Sequence, residues 1–279
     1  MSTGPIITDG AWGTELQARG LALGECPDIW NLTHPDEVRA VAASYADAGS
    51  RIVMTNTFRA NRLALEGYDL AGQVDAINRA GVALSIEGAS RRAEVFAAIG
   101  PSGRMLASGE VTGDELRAAF TEQAQSLAAA GADALVIETM SDVDEAVIAV
   151  EAAHVTGLPV VACMVYDSGR HHDRTMMGAT PEQATIRLVS AGAHIIGANC
   201  GSGIERYVAI ASRLRAATDR PVWIKPNAGL PELVEGRVTY RMTAGEFAVH
   251  ARRMQGINYI GGCCGTTPGF IRALVASCG

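Results

Sequence analysis

Residues 112–139 read TGDELRAAFTEQAQSLAAAGADALVIET, and this stretch decides the fold. Thr112 with Glu115 three positions later is a helix start in which each residue satisfies an orphan amide of the other. From 114 to 130 apolar residues return every three to four positions, so one face of the helix is buried. Gly131 follows Ala130, where a residue without a Cβ accepts the positive φ that ends a helix. Residues 134–138 then form a short, unbroken apolar run. Such a run suits a parallel strand covered by helices rather than a half-exposed one, which would alternate. The run stops at a polar pair, Glu138-Thr139.

The same unit recurs along the chain. Ala48-Gly49 precedes a strand-like run at 51–55, Ala191-Gly192 precedes 194–199, and Gly256 precedes 257–262. Further runs lie at 5–8, 95–99, 159–165 and 221–225. Pro159 and Pro221 open two of them, where a missing N–H costs little. Helical periodicity marks 36–48, 73–91, 143–156, 181–191, 204–217, 244–254 and 268–276, in addition to 114–130. Ser141 or Asp142, and Thr180-Pro181, supply start signals. Eight strands alternating with helices over 279 residues predict a single (β/α)8 barrel spanning 1–279. An open doubly wound sheet is the competing architecture, but no G-x-G-x-x-G follows the first strand.

Composition narrows the function. With 48% hydrophobic and 19% charged residues the chain is globular. Its net charge is −7, and its 23 basic residues are scattered, with Lys225 the only lysine. No basic stripe is present for nucleic acid, no apolar run reaches membrane-spanning length, and the N-terminus lacks a secretory signal. A cytoplasmic location is expected. There the six cysteines stay reduced, so any cluster of them is better read as a metal site or as chemistry than as a disulfide.

In such a barrel the active site lies at the C-terminal strand ends. Those ends are Asp9-Gly10, Thr55-Asn56-Thr57, Glu138-Thr139, Asn199-Cys200, Lys225-Pro226-Asn227 and Gly262-Cys263-Cys264-Gly265. Three cysteines therefore share one rim. Three thiolates with an open fourth position describe a catalytic zinc site. Adjacent Cys263 and Cys264 point to opposite faces of a regular strand, so both ligate one ion only if the chain turns, which the flanking glycines permit. Cys26, Cys163 and Cys278 read as inert buried thiols.

The motifs Asp9-Gly10-Ala11-Trp12-Gly13-Thr14-Glu15, Thr55-Asn56-Thr57-Phe58, Glu138-Thr139, Asn199-Cys200, Lys225-Pro226-Asn227-Ala228-Gly229 and Gly261-Gly262-Cys263-Cys264-Gly265-Thr266-Thr267-Pro268 resemble, in the same order, the zinc-dependent homocysteine S-methyltransferases. This group includes the homocysteine barrel of cobalamin-dependent methionine synthase and the betaine and S-methylmethionine enzymes. The resemblance implies Zn2+ on Cys200, Cys263 and Cys264, and methyl transfer to homocysteine. It also implies that Asp9 and Glu138 hold the substrate amino group, with the backbone at Gly10-Ala11 near its carboxylate and Asn227 near the metal.

Several readings stay open. The donor is a sulfonium or betaine-type molecule, or a separate corrinoid protein, since the chain ends just after the barrel. Lys225 at a strand end fits a Schiff-base aldolase, and a non-catalytic zinc protein would need a fourth protein ligand. His171-His172 reads as a solvated loop. Trp12 and Trp30 serve either the core or a cation–π contact with an onium methyl. Gly201-Ser202-Gly203 reads as a tight turn or as a phosphate cradle.

Overall fold

The computed structural model describes residues 4–234 and 237–279. Its eight barrel strands are β1 (Ile6–Ile7), β2 (Ile52–Met54), β3 (Glu94–Ile99), β4 (Ala134–Met140), β5 (Val160–Met164), β6 (Ile195–Cys200), β7 (Val222–Pro226) and β8 (Tyr259–Ile260). All pair in parallel, in the order β1-β8-β7-β6-β5-β4-β3-β2. A parallel bridge between Thr8 and Ile52 joins the two ends, supported by the Arg51 amide donating to the Ile7 carbonyl at 2.8 Å. The sheet is thus a closed (β/α)8 barrel, and the open-sheet alternative is excluded.

Each predicted helix is present: Pro35–Asp47, Val74–Ala89, Gly113–Ala129, Val143–Ala153, Pro181–Ser190, Ile204–Ala217, Ala244–Ala251 and Pro268–Cys278. The capping boxes at Thr112/Glu115 and Thr180/Gln183 are both formed, and Gly131 takes φ 98°. The reading at 73–91 was longer than the helix found, because Ser90 and Arg91 turn into left-handed backbone. The first and last strands are also shorter than read. Additional short helices, Trp12–Ala18, Trp30–Thr33 and Arg62–Glu66, fill the loops after β1 and β2. An antiparallel hairpin, Glu232–Val234 with Arg237–Thr239, follows β7. Among the described residues no helix is long and apolar enough to cross a membrane.

Two apolar layers hold the barrel. Alternate strand residues Ile52, Met54, Phe96, Ala98, Ala134, Val136, Val161, Cys163, Ile195 and Trp223 fill the interior. Their neighbours Val53, Ala97, Ile99, Leu135 and Ile137 pack outward under the helices. Side chains two apart on a strand share a face. The interior rows 134-136, 195 and 223 therefore continue upward to Glu138, Asn199 and Lys225. These polar residues form the top layer of the barrel, directly beneath the rim.

Candidate active site

The cysteine loop is built by backbone constraints. The Cys263 amide donates to the Pro226 carbonyl at 2.8 Å and the Ala228 amide donates to the Cys264 carbonyl at 3.0 Å, so the loop after β8 is laced to the loop after β7. Thr266 donates its hydroxyl to the Cys263 carbonyl at 2.7 Å. Gly265 takes φ 82°, turning the chain after the adjacent pair. Cys200 itself has φ 64°. That left-handed geometry is costly for a residue with a Cβ and is found where surrounding structure enforces it.

The outcome is convergence. Sγ atoms of Cys200, Cys263 and Cys264 all lie within 4.8 Å of one another, and Cys263 and Cys264 are 4.0 Å apart. Thiolates around a tetrahedral zinc at about 2.3 Å stand about 3.8 Å apart, so the donor set fits such an ion with little adjustment. Among the described residues no other cluster of three or more His, Cys, Asp or Glu side chains could hold a metal. The proximity of the Cys263 and Cys264 thiols favours ionisation of Cys200, whose pKa falls, while theirs rise.

Asn227 donates to the Gly201 carbonyl at 2.7 Å and to Cys200 Sγ at 3.6 Å, while its Oδ1 is buried without a partner. A buried acceptor left unpaired costs free energy, so an atom of this kind beside three sulfurs suits a site completed by an added group.

Below the thiols sits a charged layer. Lys225 Nζ contacts Asp9 Oδ1, and Asp9 Oδ2 accepts from Trp12 Nε1 at 2.8 Å and from the Met54 amide at 2.7 Å. Both partners are enclosed, Asp9 at 0% and Lys225 at 3% exposure. Burial alone would depress the lysine, but Asp9 and then Glu138 outweigh it and keep the ammonium charged. The buried pairing of Lys225 with Asp9 argues against the aldolase reading, because an imine-forming lysine needs a lowered pKa. Burial pushes the Glu138 carboxyl up to about 7, against the pull of Lys225. Asn199 aims Glu138: its Nδ2 donates to Glu138 Oε2 at 3.1 Å and to Thr139 Oγ1 at 2.7 Å, while its Oδ1 accepts from the Thr139 amide at 2.7 Å.

A cavity of about 420 Å³ opens above this layer, reaching the three cysteines, Glu138, Lys225 and the loop from Gly10 to Thr14. Ala11 lies on its wall, but its amide is donated to the Thr266 carbonyl at 3.2 Å. Trp12 flanks the cavity, half-buried. Trp30 belongs instead to the core, donating to Glu25 at 3.0 Å and stacking on His34. His171 and His172 sit on an exposed loop and do not line the cavity, although His172 lines a neighbouring cleft with Gly201 and Ser202; Asp173 ties the loop to Arg213 at 2.6 Å. Cys26 and Cys163 are buried; Cys26 Sγ lies 3.8 Å from the buried Asp28 carboxylate. The Asp9–Lys225 pair was missed from sequence. Its signal was the chain's single lysine and an aspartate standing at strand ends of the same rim.

Fold and rim together define a (β/α)8 barrel that carries a cluster of three cysteines at its C-terminal face. The homocysteine S-methyltransferase family pattern matches residues 6–278, and the chain belongs to that family of enzymes. It is 30% identical over 293 residues to methionine synthase of Mycobacterium tuberculosis and 29% identical over 290 to that of Mycobacterium leprae, covering 98% of this chain in each case. It spans only 24% of the length of either relative. Among solved structures, the metallated form of the Escherichia coli homocysteine methyltransferase MmuM superposes with a TM-score of 0.81 at 24% identity, covering 98% of this chain and 96% of that one.

Proposed function

We propose that this barrel methylates the thiol of homocysteine, giving methionine, with a sulfonium or betaine-type molecule as donor and Zn2+ held by Cys200, Cys263 and Cys264. The observation that carries the reading is the meeting of three sulfurs within 4.8 Å on the wall of a cavity that Glu138 also lines. No fourth protein ligand completes the cluster among the described residues, which favours an open site over a closed structural one. Zinc in this position would lower the pKa of the incoming thiol so that it reacts as thiolate at neutral pH.

The chain's residues then align the reactants. Glu138, aimed by Asn199, accepts the substrate ammonium. Asp9 contributes beside it: three donors already reach its carboxylate, which has about four acceptor positions. The backbone around Gly10 and Ala11 faces the substrate carboxylate, and Asn227 borders the reacting sulfur. The sulfur attacks the donor methyl in line. Its bond to carbon forms as the donor's C–S or C–N bond breaks, and that electron pair leaves with the demethylated donor. Holding both partners in this geometry is the main catalytic contribution of the fold.

The likeness to a quarter of two methionine synthases supports a second source of the methyl group, a separate corrinoid protein. Turnover of homocysteine with S-methylmethionine, S-adenosylmethionine, betaine and methylcobalamin, together with metal analysis of reduced protein, separates the two. Retained turnover in Cys200→Ala would overturn the assignment of the cysteines.

A further inference from the structure

The cavity wall carries two cationic side chains, and among the described residues only one forms an ion pair. Lys225 is paired with Asp9 at the bottom. Arg59 lines the same cavity on the loop after β2 and, among the described residues, makes no ion pair within 4.0 Å. Its guanidinium is not loose, however. Nη1 donates to the Tyr68 hydroxyl at 2.6 Å, and its backbone amide donates to the buried Asp28 carboxylate at 3.0 Å. The buried Asp28 carboxylate on the same wall feels the Arg59 charge without forming an ion pair with it; a tethered guanidinium on a cavity wall with no ion-pair partner among the described residues can grip a carboxylate with two parallel N–H bonds. Phe58 and Trp12 line the same cavity as the thiols, and aromatic surface favours a cationic methyl group.

We infer that Arg59 determines donor specificity by binding a carboxylate on the methyl donor, so that the onium methyl lies toward the cysteines and the anionic end toward Arg59. The inference rests on the proposed methyl transfer to homocysteine. A sulfonium amino acid and a betaine share this chemistry, and their neutral carboxamides do not.

The test is steady-state kinetics at saturating homocysteine with S-methylmethionine and betaine, each against its carboxamide, in wild type, Arg59→Gln and Arg59→Lys. Losing a hydrogen-bonded partner of a charged group at a partly open site should lower kcat/KM for the carboxylate donor about 10- to 100-fold. The carboxamide should change little, and Arg59→Lys should restore part of the preference. Whichever carboxylate donor shows the preference is the source class. An unchanged ratio of carboxylate to carboxamide in Arg59→Gln overturns the inference. So does a rise confined to the homocysteine KM, which would place Arg59 on the acceptor. Wild-type turnover with methylcobalamin but with neither onium donor overturns it too, while leaving homocysteine methylation standing. No methylation of homocysteine from any donor defeats the underlying reading as well.

Discussion

Replacing Lys225 by Met tests the charged layer beneath the thiols. Methionine keeps most of the stem volume and removes the ammonium. Asp9 would then retain Trp12 Nε1 at 2.8 Å and the Met54 amide at 2.7 Å but lose its counter-ion in a fully enclosed position. Removing one member of a buried pair strands the other charge, at a cost of about 3–5 kcal/mol. That is a large part of the roughly 5–15 kcal/mol that holds a typical domain together. The double variant Asp9→Asn/Lys225→Met leaves no stranded charge, and should recover to within about 1–2 kcal/mol of wild type. Urea unfolding of the wild type, both single variants and the double variant closes the cycle. A loss below about 1 kcal/mol in Lys225→Met, or simple additivity in the double variant, would refute the claim that this pair is a buried, mutually dependent unit.

Metal analysis should find about one zinc per chain in reduced wild type and next to none in Cys200→Ala or Cys264→Ala, with the far-UV spectrum of the barrel preserved. Gly265→Ala puts a Cβ at φ 82° against the Tyr240 ring. It should cost about 1–3 kcal/mol by thermal or urea unfolding and weaken zinc retention against a chelator. Arg213 holds Glu182 at 2.7 Å and pulls its carboxyl down to about 2 from 4.5. A depressed folded pKa stabilises above the unfolded value, so this contribution is complete above pH 4.5 and is lost as pH falls toward about 2. The pair is largely solvated and its contribution modest, so Arg213→Met should flatten the stability–pH curve in that window, lowering stability slightly above pH 4.5 and leaving it nearly unchanged toward pH 2. An identical acid slope in the variant would contradict the assignment.

The barrel was legible because its repeat is local. A helical period, a terminating glycine and a continuous apolar run are written in consecutive residues, as in 112–139, and each was realised. Elements lacking that signal went unread. The helix Trp12–Ala18 begins without a side-chain cap, and the hairpin after β7 is formed by Glu232–Val234 and Arg237–Thr239, where alternation is too short to register. At the site, the residue types and strand ends of Cys200, Cys263, Cys264 and Glu138 were readable, since parallel strands in a barrel place their C-terminal ends at one rim.

Sequence by itself thus determined which groups reach that rim and what chemistry three thiols and a carboxylate are suited to. Only the tertiary structure decided how those groups pair. The Asp9–Lys225 contact and the Asn199 bridge to Glu138 depend on distances between segments 216 and 61 positions apart, and the lack of an ion-pair partner for Arg59 among the described residues depends on what surrounds it in space. No local pattern encodes such distances. The closure of the sheet sets them, by bringing the first strand against the last.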